Sequence, residues 1–456
     1  MKDNFQRLKN EFHDTEDLIL KRIKVNRFHY VNIAFLETLA SSDKIHDYIL
    51  KNISKINNIN QLIDKIPACN IKKLKCYDEC EYYIYNGYTL LFINNDIYAI
   101  ETKADLYRAI PVSENEPSIK GPKLAFTENY QVNLGLIKKR CKTHNLYVEN
   151  INVGRISNTL TGIISIKGIV KEEYIQTIKD RLLKIDIDMI NDADDLVKYL
   201  SFKSIIPTVI STERPDKVSD ALSNGKVVII CDDSPTALIL PAFITDFINP
   251  YTDKYHKKNN INITKIIRYI CFCVSLITPS LYIAIINFNQ ETIPSSLIIN
   301  FAMQRNNIPY PAIIECLIML VTCEILKESD LRSSSKFGAA TSILGAIVLG
   351  NAAVSAGLIT PIMLIIISFT YIASLIFTDL EFSNALRTYR FIFLFLACFW
   401  GLYGLLMGIT ILMLNIAKTR SLGLPYSIPI SPFDKKYFNP FKRSLYLSNN
   451  TIKEKK

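Results

Sequence analysis

Tyr269-Ile-Cys-Phe-Cys-Val-Ser-Leu-Ile-Thr-Pro-Ser-Leu-Tyr-Ile-Ala-Ile-Ile-Asn-Phe-Asn-Gln290 runs for 22 residues without a charged side chain. Phe337–Thr378 (42 residues) and Phe391–Ala417 (27 residues) are equally free of charge. A hydrocarbon layer about 30 Å thick needs roughly 20 apolar helical residues to cross it. The first and third stretches each suit one span, and the second suits two. Outward from them the chain of 456 residues divides. Residues 1–268 hold 38 of the 53 Lys+Arg and 34 of the 43 Asp+Glu, which leaves 15 and 9 for the last 188 residues. A wholly soluble enzyme is excluded. The expected spans are 269–290, 338–357, 359–378 and 391–416, within a helical membrane domain over 264–417. A basic, Pro-containing tail follows at 418–456.

The polar half carries a repeat. Val31–Lys51 and Thr161–Arg181 each begin with a β-branched or apolar run, break near Thr38 or Gly168, and continue into a charged amphipathic segment. That is strand, turn and helix at an offset of 130. Gly87–Ile100 and Gly225–Leu240 each give an apolar strand, an Asn- or Asp-built turn and a second apolar strand, a hairpin at an offset of 138. The expected fold class is an α/β cytoplasmic N-terminal region of two similar subdomains, followed by an all-α polytopic membrane domain. The subdomains fall at 15–110 and 123–248, joined by a linker at 111–122 that is rich in Pro and small residues. Phe126 to Cys141 reads as a helix with Thr127 as its cap.

No catalytic set emerges, and the protein is expected not to be an enzyme. The five His are scattered, and there is no P-loop, no GxGxxG and no GxSxG. Ten Cys are dispersed, and the one close soluble pair, Cys76 and Cys80, lacks partners for a zinc set. No cofactor or metal is expected. The net charge of +10 comes from Lys interleaved with acids rather than from a basic stripe, which argues against nucleic acid. Met1–Lys24 has no apolar core of the kind a secretory signal needs.

Six segments in order resemble the GerA-type spore-germination receptor A subunits. They are Lys120–Glu128 (with Gly121, Pro122, Phe126, Thr127 and Glu128), Thr212–Asp216 (with Glu213, Arg214, Pro215 and Asp216), Asp232–Pro241, Arg305-x3-Pro309-x-Pro311-x3-Glu315, Ser342–Gly357 and Gly423–Pro429. The resemblance covers residues 15–435. The family usually has Gly at Asn307, often an acid at Leu320, and often Glu or Gln at Ser355. The resemblance implies an oligomeric, ion-conducting subunit of a nutrient-gated receptor in the spore inner membrane. It also implies a transporter-like B subunit and a lipoprotein C subunit as partners.

Basic residues on both flanks, Lys254 to Arg268 before the first span and Lys418 to Arg443 after the last, put both ends in the cytoplasm. The number of crossings is then even. Ile308–Leu326 is apolar but holds Glu315 and Glu324, so it is expected to be re-entrant or amphipathic, leaving four spans; the alternative is that Ile293–Met303 crosses with it to make six. On the 338–357 helix Thr341, Gly345, Asn351, Ala352 and Ser355 share about a third of the circumference. Gly345 and Gly350 there, and Gly401, Gly404 and Gly408 on the last span, suit close helix packing. Thr341, Asn351 and Ser355 are candidates to line a pore shared by several copies; the alternative is packing within one chain. Glu315 is the candidate acid for cations, with Arg305 a candidate counter-ion; the alternative is a carboxylate whose head sits in interfacial water. Glu213 and Arg214 are expected to hold a turn between subdomains, and Asp232-Asp233 to make a hairpin turn. A transporter or lipid-handling membrane enzyme with a regulatory soluble domain would instead show a broken-helix inverted repeat or clustered His and Asp near the membrane, and neither is present.

Overall fold

The computed structural model describes residues 7–8, 11–12, 17–25, 30–53, 63–68, 70–74, 76–93, 96–104, 113, 116, 120–255, 258–306, 308–332 and 349–431. Its N-terminal α/β region is built twice. Strands β1 (Leu18–Lys24), β2 (Tyr30–Leu36), β3 (Ile71–Leu74), β4 (Tyr88–Ile93) and β5 (Asp96–Glu101) form an antiparallel sheet in the order β1-β2-β4-β5-β3. Strands β6 (Leu146–Val153), β7 (Thr159–Ile166), β8 (Ile210–Thr212), β9 (Val227–Cys231) and β10 (Ala237–Leu240) repeat it as β6-β7-β9-β10-β8. The register repeats too. Asn32 faces Phe92 and Ala34 faces Leu90 in the first sheet; Gly162 faces Ile230 and Ile164 faces Val228 in the second. Adding 130 on one strand and 138 on the other converts the first set into the second. A slip of one residue would send every apolar side chain to the wrong face, so shared register is a stricter match than shared strand order.

Each sheet is covered on both faces, which is why its central strands read as unbroken apolar runs. On β9, Val228 and Ile230 pack with helices α3 (Tyr130–Arg140) and α6 (Pro215–Ser223). Val227, Ile229 and Cys231 turn the other way, to α4 (Glu172–Leu183) and α5 (Asp194–Leu200). In the first sheet Leu90 and Phe92 meet α2 (Glu79–Tyr85). Leu91 and Ile93 meet the opposite helix, α1, whose first turn is Ser42–Ile45 and which continues through a π-helical turn. The helix expected from Phe126 starts at Tyr130, and its cap is Asn129, whose side chain accepts from Val132 N at 3.1 Å. The chain before it stays extended because Phe126 N already donates to the Glu213 carbonyl and Thr127 N to Asn133 Oδ1.

The C-terminal half is helical: α7 (Ile244–Ile248), α8 (Lys258–Phe288), α9 (Ser295–Arg305), α10 (Ala312–Arg332), α11 (Pro361–Ser374) and α12 (Leu380–Lys418). The inner end of α8 is tied to the second sheet's side by Arg268, which grips Asp253 with two hydrogen bonds of 2.5 and 2.8 Å. From there α8 runs outward to Phe288. Two expectations for this half change. The segment 391–416 is not one rod, because α12 breaks at Trp400 and Gly401, where Gly401 has φ +55° and ψ −134°. Asn415 Nδ2 donates to the Tyr389 hydroxyl at 2.8 Å, although a straight helix would separate them by about 39 Å. The two arms are therefore an antiparallel hairpin. The segment 308–326 is no short re-entrant turn either. It belongs to α10, which runs back along the bundle, with Glu315 near the outer end at Thr360 and Lys327 near the inner end, donating to Ser383 Oγ at 2.7 Å.

The start of the expected tail is built into the core. Residues after Lys418 return to the second sheet: Ser421 Oγ donates to the Thr208 carbonyl at 2.8 Å and accepts from Ala242 N at 3.0 Å. Tyr426 and Ile428 are fully buried. Tyr426 belongs to the same apolar cluster as Phe247, Phe382 and Val228, so the sheet and the inner end of the helices share one core.

Candidate functional site

The helical half closes on glycines. A Cβ on Gly401 would lie 2.9 Å from Phe288 Cβ, one on Gly408 2.7 Å from Phe393 Cδ1, and one on Gly404 would strike the Leu396 carbonyl. Gly404 and Gly408 thus serve close packing between the arms of one hairpin. A Cβ on Gly350 would lie 3.2 Å from Leu364 Cδ1, between the helical turn at 349–355 and α11. Gly345 and Thr341 lie outside the described residues.

Below the hairpin lies a buried polar layer. Pro279 sits inside α8 and has no N–H to give the Ser275 carbonyl four residues earlier. Arg390, only 4% exposed, repairs the gap: its Nε donates to Ser275 O at 2.8 Å. Its Nη1 is 3.9 Å from Glu324, which also takes Arg387 Nη1 at 3.3 Å. The sequence reading used Arg390 as the boundary of an apolar run and missed this. The available signal was a mid-span proline, which leaves a carbonyl needing a donor, together with an arginine at the edge of another span.

Glu315 is 1% exposed. One carboxylate oxygen accepts from Thr360 N, the capping residue of α11, while Oε2 has no hydrogen-bond partner among the described residues. Thr360 Oγ1 in turn accepts from Met363 N at 3.2 Å. A carboxylate at a helix N-terminus meets free N–H groups and the positive end of the dipole, so Glu315 ties α10 to α11. Its head does not sit in interfacial water. Arg305 is not its ion-pair partner; it shares a hydrogen bond with the Tyr282 hydroxyl, while its buried Nη1 has no hydrogen-bond partner among the described residues. Pro311 starts α10, its carbonyl accepting from Ile314 N and Glu315 N; Pro309 lies in the exposed turn before it. Asn351 and Ser355 are exposed, as are Ala352 and Ala356, on the side of their helical turn away from Gly350.

A second constellation forms where the linker, the second sheet and the start of α8 meet. Arg214 and Asp216, both 3% exposed, make a two-pronged ion pair of 2.7 and 3.1 Å. Tyr255, just before α8, donates to Asp216 at 2.7 Å. Burial pushes the Asp216 carboxyl up, but the bonds from Arg214 and Tyr255 outweigh it and hold the carboxyl below its ordinary range. Pro215 opens α6 at its first position, where its missing N–H costs nothing. Gly121, at φ +112°, lies against the Tyr255 ring, 2.7 Å from where its Cβ would be. Glu213 accepts from Ser113 Oγ at 3.2 Å, which joins this turn to the chain between the subdomains. Asp233 has φ +60°, and Asp232 Oδ1 accepts from Tyr130 N, joining the β9–β10 turn to the start of α3. Asp233 N reaches the Glu128 carbonyl at 2.8 Å. Gly121, Phe126, Glu213, Arg214 and Asp216 are gathered here; Pro122, Thr127 and Glu128 flank them.

Residues 6–455 match the family model described as Bacillus/Clostridium GerA spore germination protein. The chain is 34% identical to spore germination protein KA of Bacillus subtilis (strain 168), covering 94% of this chain and 81% of that one. It is 29% identical to the uncharacterized membrane protein YfkQ of the same organism, covering 95% and 91%. Among solved structures, the N-terminal domain of the A subunit of the Bacillus megaterium spore germinant receptor GerK3 is 25% identical with a TM-score of 0.41, covering 54% of this chain and 95% of that one.

Proposed function

Because the chain belongs to the GerA family of spore germination proteins, the A subunits of germinant receptors, we propose that it is the pore-forming subunit of a nutrient receptor in the spore inner membrane. Several copies assemble around a cation pathway, beside a transporter-like B subunit and a lipoprotein C subunit. Conduction, not catalysis, is its task.

On this reading the chain crosses the membrane six times: 269–288 outward, α10 inward, the expected span at 338–357 (which begins outside the described residues) outward, α11 inward, and the two arms of α12 outward and inward. The hairpin restores the even number that α10 alone would have broken, and both termini are cytoplasmic. Arg268, Glu324, Lys327 and Arg387 mark the inner boundary. Trp400 and Tyr403, exposed aromatics at the hairpin tip, suit the outer interface.

The observation that carries the reading is the exposure of Asn351 and Ser355, with Ala352 and Ala356, at a helical turn in a half of the chain whose other helices are mainly apolar. In lipid a polar strip is costly unless it meets protein or water, and copies arranged around a common axis supply both. The test is conductance of the purified receptor in planar bilayers, with Ser355→Cys compared with the parent protein before and after a cationic thiol reagent. Cation current that the reagent blocks in the variant alone is expected. Solute uptake without conductance would favour a transporter and refute the proposal.

A further inference from the structure

Helix α9 has no buried residue, yet it is apolar on two sides. Leu297, Ile299 and Met303 are exposed by 45–60%. Ile298, Phe301, Ala302 and Arg305, spaced i, i+3, i+4 and i+7, share the other side. With Ile286, Asn287, Gln290 and Ile293 at the outer end of α8, they line a cavity of about 360 Å³. At ~30 Å³ per water that is a dozen waters' worth of space, far more than one ion needs. The wall is mixed, with polar surface beside the side chains of Ile286, Ile293, Ile298 and Phe301. Its polar side chains are two amides and the guanidinium of Arg305, whose buried Nη1 has no hydrogen-bond partner among the described residues. One Gln290 N–H is already committed to the Ile286 carbonyl at 2.7 Å and Arg305 shares a hydrogen bond with the Tyr282 hydroxyl, so the donors left for a ligand are the rest of the guanidinium and the amide of Asn287.

A cation beside apolar side chains in one chamber suits an anionic oxygen joined to an apolar body. We propose that the cavity holds the phosphate and upper acyl region of an anionic phospholipid of the outer leaflet, the phosphate on Arg305 and Asn287, the chains against Ile286, Ile293, Ile298 and Phe301. The exposed apolar side of α9 then lies among neighbouring acyl chains. The inference rests on the membrane reading above. It makes α9, in the connection between α8 and α10, a lipid-responsive element at the outer face of the bundle.

The test is the melting temperature of the delipidated, detergent-solubilised protein with phosphatidylglycerol, phosphatidylcholine or inorganic phosphate added. Phosphatidylglycerol at saturation is expected to raise it by about 5 °C or more, with little effect from the other two. Arg305→Gln should abolish the rise, and Arg420→Gln, an exposed charge at the opposite end, should keep it. Ala302→Trp, which fills the cavity and leaves Arg305 in place, should abolish it as well and serves if Arg305→Gln fails to fold. An equal rise with phosphatidylcholine, or one that survives both cavity variants, overturns the site. A rise with inorganic phosphate alone overturns the lipid as its ligand. Protein that partitions with membranes but ignores phosphatidylglycerol sinks only this inference; protein soluble without detergent sinks the membrane reading itself.

Discussion

Arg390→Met should destabilise the helical half chiefly through a carbonyl on another helix. The methionine keeps most of the length and fills the space, so packing loss is small. Ser275 O loses its donor, and a buried polar group left unsatisfied costs about 1–3 kcal/mol. Glu324 loses the more buried of its two cations but keeps Arg387 at 3.3 Å, so its share falls below the roughly 3–5 kcal/mol of a fully broken buried pair. A total near 3 kcal/mol, at about 2–4 °C per kcal/mol for a unit of this size, lowers the melting temperature by about 6–12 °C.

The two contributions separate through Pro279. Pro279→Ala restores an N–H in register with Ser275 O, so in that background the carbonyl no longer depends on Arg390. Arg390→Met should then cost less by the carbonyl's share, about 1–3 kcal/mol, and the double-mutant cycle should show a coupling of that size. The assay is thermal unfolding of the four proteins in one detergent, followed by the loss of monodisperse protein on size exclusion. Equal costs in the two backgrounds would mean that Arg390 acts only through Glu324, and the account of the proline gap would be wrong.

Asp216→Asn should leave Arg214 buried beside a neutral amide, at a cost of about 3–5 kcal/mol. Because the folded carboxyl titrates below its unfolded value, its contribution is fully present above the unfolded value near 4 and is lost as pH falls through the folded one. Thermal melts of the full chain from pH 7 to pH 3 should therefore fall more steeply for the parent than for the variant, and parallel curves would contradict the assignment. Gly408→Leu should force the hairpin arms apart, overpacking by about 1–3 kcal/mol or more, whereas Gly350→Ala meets only a mobile Leu364 tip and should be mild. Cross-linking of cysteines placed at 389 and 415 reads hairpin closure directly, and unimpaired cross-linking in Gly408→Leu would refute the close-contact role.

The double sheet was legible because strand signals are local. Val31–Leu36 and Thr161–Ile166 carry their β-branched runs, and the turns that follow carry Thr38 or Gly168, whatever surrounds them. Even the spacing between units survived as strand register. The start of α3 was not legible, since Thr127 and Asn129 are both able caps. What decides between them is a hydrogen bond from Phe126 to Glu213, many residues away. The buried strap at 419–428 was read as tail because Pro, Gly and Ser signal loops equally well when a loop is packed.

The reading of the helical half erred in the other direction, toward too much regularity. Composition alone cannot distinguish a long apolar helix from two arms folded on each other, because both bury the same kind of side chain. Gly401 turns the chain only because its missing Cβ lets Phe288 of α8 come close at a positive φ. Neither residue announces the other. The glycines at 404 and 408 were expected to suit close helix packing; what they meet is the preceding arm of the same segment. Glu315 follows the same logic. Its type and depth marked it as costly in lipid, yet whether such a carboxylate faces water or a helix end depends on where Thr360 arrives. It faces the helix end, with one oxygen satisfied and one free. A change that slides α10 along α11 would therefore have to break that bond first, which gives this buried acid the position of a latch between the two helices that flank the proposed pore helix.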